Sequence, residues 1–90
     1  MSKFKNKTIL VTGASSGIGL AMAKDFSSRG ANLILTARSK DKLDQLAKEL
    51  EAQGTKTKVF LEDISVPNSA QKLYDQIKTE QIDIDILVNN

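Results

Sequence analysis

Four short apolar runs alternate with three stretches of helical hydrophobic spacing, and that alternation restricts the chain to very few folds. The runs are Thr8-Ile-Leu-Val-Thr12, Asn32-Leu-Ile-Leu-Thr-Ala37, Lys58-Val-Phe-Leu-Glu62 continued by Asp63-Ile64, and Asp85-Ile-Leu-Val88. The first two are apolar runs without polar alternation, as strands buried in a parallel sheet are, and the other two read as a third and a fourth strand. Between them, Ile18, Met22 and Phe26 with Ala21 beside them form one stripe, and Leu43, Leu46, Ala47 and Leu50 a second. Ala70, Leu73, Tyr74 and Ile77 form a third. Gly30 sits at the C′ position of the first helix, while Ser39 offers a hydroxyl N-cap to the second and Gly54 closes it. Ser65-Val-Pro67 marks the start of the third, because proline is tolerated in a first helical turn. The predicted order is β-α-β-α-β-α-β, in the α/β class.

Parallel strands need crossover helices, and nearly all such crossovers are right-handed. With strand order 3-2-1-4 the chain is a Rossmann-like, doubly wound sheet of four strands, the first two helices on one face and the third on the other. The winding reverses between strands 1 and 4, which opens a crevice at their carboxyl ends where open α/β sheets bind ligands. The segment landing on that crevice is Thr12-Gly13-Ala-Ser-Ser-Gly17-Ile-Gly19. Glycines at G-x-x-x-G-x-G spacing between a strand and a helix permit a tight turn, let main chain approach a diphosphate, and let helix and strand pack closely. The helix tip then offers unpaired N–H groups and partial positive charge to phosphates, and Ser15 and Ser16 add hydroxyls. A P-loop needs G-x-x-x-x-G-K-[ST]; counted from Gly13, Ile18 stands where its second glycine belongs, and no Gly-Lys follows Gly17.

Composition removes other chemistries. The sequence has no Cys and no His, so disulfides, thiolate metal sites and the commonest metal ligand and general base are out of reach, and no metal site is expected. Ninety residues supply one small domain. A net charge of +2 comes from lysines spread among acids on helices, and one Tyr and three Phe give little for base stacking, so no nucleic-acid partner is expected. The apolar run after the basic start is too short for a signal peptide or a membrane span, which makes a cytoplasmic location the expectation.

Thr12-Gly-x-x-x-Gly-Ile-Gly19, Asp63-Ile64 after the third strand, and Leu-Val-Asn89-Asn90 at the fourth together resemble the short-chain dehydrogenases/reductases. The resemblance covers residues 1–90 as one NAD(P)-binding Rossmann segment, truncated before the catalytic half. It implies that Gly13, Ser15, Ser16 and Ile18, with Gly17 and Gly19, line the pyrophosphate, that Asp63 and Ile64 border the adenine, and that Asn90 meets the adenosine ribose while Asn89 steadies the sheet. NAD-binding members of such folds place an acid after strand 2, but Ala37-Arg38-Ser39 has none. Arg38 instead offers a guanidinium fork for a 2′-phosphate, which favours NADP(H) over NAD(H); a surface pair with Asp41 is the other reading of this arginine.

The family's catalytic residues are a Tyr-x-x-x-Lys pair on a later helix and an upstream Ser. Tyr74-Asp-Gln-Ile-Lys78 has that spacing but precedes the fourth strand, and Tyr74 shares a stripe with Leu73 and Ile77, so its ring is expected to pack on the sheet. No catalytic residue is assigned, and the chain is expected to be inactive alone. In the full-length protein the resemblance implies hydride transfer between nicotinamide and a carbonyl or alcohol substrate. A non-catalytic dinucleotide-binding remnant or module is the alternative, and a module for another adenosine ligand, such as S-adenosylmethionine, is a third reading. An apolar fourth strand left at the sheet edge would invite self-association.

Overall fold

The computed structural model describes residues 4–15, 17–62 and 67–88. In chain order they form β1 (Thr8–Thr12), α1 (Gly17–Ser28), β2 (Asn32–Ala37), α2 (Lys40–Ala52), β3 (Thr57–Leu61), α3 (Ser69–Thr79) and β4 (Ile86–Val88). The strands make one parallel sheet in the order β3-β2-β1-β4. This is the α/β Rossmann-like architecture expected from the alternation of apolar runs.

Pleating divides the strand residues between two cores. Ile9 and Val11 of β1 and Leu33, Leu35 and Ala37 of β2 point to the face covered by α1 and α2, where they pack with Ala23, Leu43, Leu46, Ala47 and Leu50. Leu10, Ile34 and Phe60 point the other way and pack against Leu73 and Ile77 of α3. The β1 triplet Ile9-Leu10-Val11 is fully buried because both sheet faces and both edges of this strand are occupied. Among the described residues no helix is long and apolar enough to cross a membrane.

The stripe expected on α2 is the one the structure buries, Leu43, Leu46, Ala47 and Leu50. On α1 the buried residues are instead Gly19, Ala23 and Ser27, and Ile18 is 69% exposed. Small residues at four-residue spacing let α1 lie close on the sheet, which rotates the larger Met22 and Phe26 to its flanks. Phe26 meets the Phe4 ring there edge to face, centroids 5.2 Å apart. On α3 the buried residues are Ser69, Leu73 and Ile77, so the expectation that Tyr74 packs on the sheet is wrong: it is 42% exposed. The helix starts at Ser69 after Asn68, whose φ of 69° sets the turn, and Ala70 and Tyr74 fall one position off the sheet-facing line.

Two strand boundaries also shift. β3 runs Thr57–Leu61, so it begins one residue before the expected Lys58 and ends before Glu62, while Asp63 and Ile64 of the expected strand lie outside the described residues. β4 starts at Ile86, because the Asp85 carboxylate itself accepts the Thr8 N–H at 2.8 Å while Asp85 N–H donates to the Thr8 carbonyl at 2.9 Å. β4 lies at the sheet edge, and Leu87 on the α3 side is 47% exposed.

Thr36 lies in this interior with its hydroxyl buried and without a partner among the described residues, and the buried Ser69 hydroxyl is likewise without one among them. A buried hydroxyl left unpaired costs about 1–3 kcal/mol. Thr36→Val keeps the β-branched shape and removes that cost, so it should leave stability unchanged or raise it by about 1 kcal/mol in chemical denaturation. In the same assay Leu35→Ala, at a fully buried position, should lose about 2–5 kcal/mol. Ile18→Ser, at an exposed one, should stay within about 0.5 kcal/mol.

Candidate functional site

The carboxyl ends of the strands carry the glycine-rich turn, as the sequence pattern required. β1 ends at Thr12, and both Gly13 (φ 61°) and Gly17 (φ 58°) take left-handed backbone that side chains rarely adopt. Between them Ala14 is fully buried, and its N–H donates to the Thr36 carbonyl of β2 at 3.1 Å. α1 begins at Gly17, and a Cβ built there would meet nothing within 4 Å. Glycine is therefore demanded at this position by the backbone, while the space in front of it is open. Gly19, one turn face further, is buried where the helix approaches the sheet. No acid occupies the first turn of α1, so the partial positive charge of its N-terminus is not offset from within the helix.

β2 supplies the neighbouring wall. Thr12 and Thr36 are register partners, so the turn after β1 and the loop after β2 start side by side, roughly 4.8 Å apart. Arg38 follows β2 directly and is exposed, and among the described residues it forms no ion pair, with Asp41 or any other acid. Ser39 takes the N-cap position of α2 with extended backbone, φ −102° and ψ 106°. Its carbonyl accepts the Leu43 N–H at 3.1 Å, but its hydroxyl makes no capping bond, contrary to the expectation of a hydroxyl cap. Lys40 is committed within its own helix: its ammonium bonds Asp44 Oδ2 at 2.8 Å, and that bond together with the charges of Asp44 and Asp41 raises its pKa above the ordinary lysine value.

Of the residues expected at the site, Gly13, Ser15, Gly17, Ile18, Gly19, Arg38 and Ser39 lie along this edge on the turn, the α1 tip and the β2–α2 junction. Ser16, Asp63, Ile64, Asn89 and Asn90 lie outside the described residues. The β4 side of the crevice is tied to the turn through Thr12, whose hydroxyl donates to the Val88 carbonyl at 3.4 Å. Sequence reasoning did not single out Thr12 or Ala14 as positioning residues. The signal available was their size, a small hydroxyl and a methyl on either side of a left-handed glycine. Tyr74 and Lys78 are elsewhere, on the outer side of α3 beside Ile82 and Ile84, in a shallow depression that precedes β4.

A family model described as short chain dehydrogenase matches residues 7–90. The fatty acyl-CoA reductase of Acinetobacter baylyi is 38% identical over 86 residues, covering 96% of this chain and 29% of that protein. Among solved structures, the L-sorbose reductase of Gluconobacter frateurii, complexed with NADPH and L-sorbose, superposes with a TM-score of 0.89 at 34% identity, over 97% of this chain and 34% of its own. A blue fluorescent protein from a metagenomic library, in complex with NADPH, superposes at 0.87 with 31% identity, over 97% of this chain and 36% of its own. The chain thus spans about a third of the length of these relatives. With the turn, the strand order and the family match in agreement, the chain belongs to the short-chain dehydrogenase family.

Proposed function

We propose that residues 1–90 form the cofactor-binding half of a short-chain dehydrogenase/reductase that uses NADP(H) in preference to NAD(H). The observation that carries this reading is the left-handed turn at Gly13 and Gly17, which opens onto the acid-free tip of α1 beside Arg38, which forms no ion pair among the described residues. In this assignment the turn from Gly13 to Gly19 holds the pyrophosphate, with Ser15 and Ser16 donating hydroxyls and the exposed Ile18 flanking it. Arg38 and Ser39 receive the 2′-phosphate on the adenosine ribose, Asp63 and Ile64 border the adenine, and Asn90 meets the ribose. The open space in front of Gly17 fits a diphosphate drawn close to main chain. Two similar solved proteins carry NADPH, which supports the phosphorylated form of the cofactor.

When bound, the cofactor supplies a hydride at nicotinamide C4 for exchange with a carbonyl or alcohol carbon of a small-molecule substrate. This chain's residues orient its adenosine end and neutralise its phosphates. The half-exposed β4 edge makes self-association of these ninety residues part of the same proposal.

Thermal unfolding with and without cofactor tests the assignment. NADPH at about 100 times its dissociation constant should add about 2.7 kcal/mol, a rise of roughly 10–20 °C for a domain of this size. Arg38→Ala should weaken NADPH by roughly tenfold or more and leave NADH unchanged, the loss of a charge-assisted pair to phosphate. Absence of protection by either nucleotide would defeat the reading, and equal protection by both would remove the role given to Arg38.

Gly17→Ala should cost about 1–2 kcal/mol of stability from its left-handed backbone alone. It should also remove most of the NADPH-induced shift, because the new methyl points into the space assigned to the diphosphate. Urea unfolding in the absence of nucleotide, compared with the nucleotide shift, reads the two effects separately.

A further inference from the structure

α1 rests on the sheet through Gly19, Ala23 and Ser27, and a seat made of such small side chains is close but nearly smooth. Packed elements take their relative position from side-chain ridges seated in grooves, and these residues make low ridges. The place of α1 along its own axis is therefore fixed chiefly at its two ends. At the leading end, just ahead of the helix, the Ala14 N–H donates to the Thr36 carbonyl. At the trailing end the buried Ser27 shares a hydroxyl bond with Thr55, which precedes β3.

Residues 4–7 grip that trailing end. The Lys7 N–H donates to the Phe4 carbonyl at 3.0 Å, closing a turn in which Asn6 has a φ of 64°. This turn is bonded on both sides of the α1–β2 junction: the Asn6 N–H donates to the Gly30 carbonyl at 3.1 Å, and the Asn32 N–H to the Lys7 carbonyl at 2.8 Å. Lys5 packs so closely on Gly30 that a Cβ there would lie 3.3 Å from its Cγ and 3.5 Å from its Cα. The Phe4 ring reaches onto the helix itself. Beyond its edge-to-face contact with Phe26, the Arg29 guanidinium stands 6.0 Å from its centroid, with Arg29 Nε held by Asp25 Oδ2 at 3.1 Å.

α1 has twelve residues, about 18 Å of stiff rod, so whatever holds Phe26 along the axis also sets where Gly17 stands. We propose that Phe4 is a positioning residue for the glycine-rich turn: by gripping Phe26 and Arg29 at one end of α1, it keeps the other end at the height over β1 where its N–H groups meet a diphosphate. The inference rests on the dinucleotide reading above, and it adds to that reading a residue at the opposite edge of the sheet. A rigid element carries the coupling between the two ends.

Titration of the chain with NADPH and with 2′-AMP separates the diphosphate from the rest, because 2′-AMP carries the ribose 2′-phosphate and nothing at the 5′ position. Phe4→Ala should weaken NADPH by about fivefold, the low end of coupling between separated sites, and leave 2′-AMP within about twofold of the parent. Phe4→Tyr keeps the ring and should bind both probes as the parent does. Ile77→Val, the loss of one methylene in the core on the α3 side, lowers stability away from α1 and should change neither affinity. The comparison is made at a temperature where circular dichroism shows every variant folded. If Phe4→Ala does not fold there, Phe4→Leu takes its place, with the loss again confined to NADPH. Equal loss of both probes, or full retention of NADPH affinity, in the folded variant overturns the role of Phe4 while the dinucleotide reading stands. A parent chain that binds no NADPH defeats that reading, and this inference with it.

Discussion

The bond from the Ala14 N–H to the Thr36 carbonyl is the constraint on which the candidate site depends. It joins the first residue beyond the Gly13 reversal to the neighbouring strand, inside a fully buried position, so the turn cannot swing away from the sheet without exposing an apolar methyl and unpairing a buried carbonyl. Left-handed backbone at Gly13 is what aims the Ala14 N–H inward, and left-handed backbone at Gly17 is what turns the chain again into α1. Between those two reversals the helix tip is held over the end of β1, and Gly19, Ala23 and Ser27 then let the helix lie flat enough to keep it there. The electrostatic character of the site follows from placement. A helix N-terminus held at the carboxyl edge, with no acid in its first turn, presents positive potential to whatever enters the crevice.

How much of this could be read from residues depended on whether burial came from side-chain size or from backbone geometry. β2 is bounded as its apolar run predicts, and α2 buries all four residues of its expected stripe, because large aliphatic side chains dominate both elements and leave one face to choose. On α1 the same rule picked Ile18, Met22 and Phe26 and failed, since close helix–sheet contact rewarded the smallest residues and hydrophobicity does not record closeness. On α3 Leu73 and Ile77 of the expected stripe are buried, whereas Ala70 and Tyr74, each one position to the side of the sheet-facing line, are exposed. The placement of Gly13, Gly17 and Arg38 at the carboxyl edge was legible because each is defined by its offset from a strand end.

The two faces of the sheet are unequally covered, and the site sits where that matters. α1 and α2 bury the row from Ile9 through Leu35 thoroughly, whereas α3 alone covers the opposite row of Leu10, Ile34 and Phe60 and leaves Leu87 half in solvent. Among the described residues β4 is three residues long and paired on one side only, so it is the strand with the least to hold it. Its attachment to the rest runs through the ladder with β1, the Asp85 carboxylate on the Thr8 N–H at one end, and the Thr12 hydroxyl on the Val88 carbonyl at the other. Thr12 is also the residue from which the glycine-rich turn departs. A ligand that fixes the turn therefore restrains Thr12 and, through it, the carboxyl end of the weakest strand. Binding energy at the α1 tip is in this way coupled to the integrity of the sheet edge, so occupancy should be felt as stability across the sheet and not only as local order at the crevice.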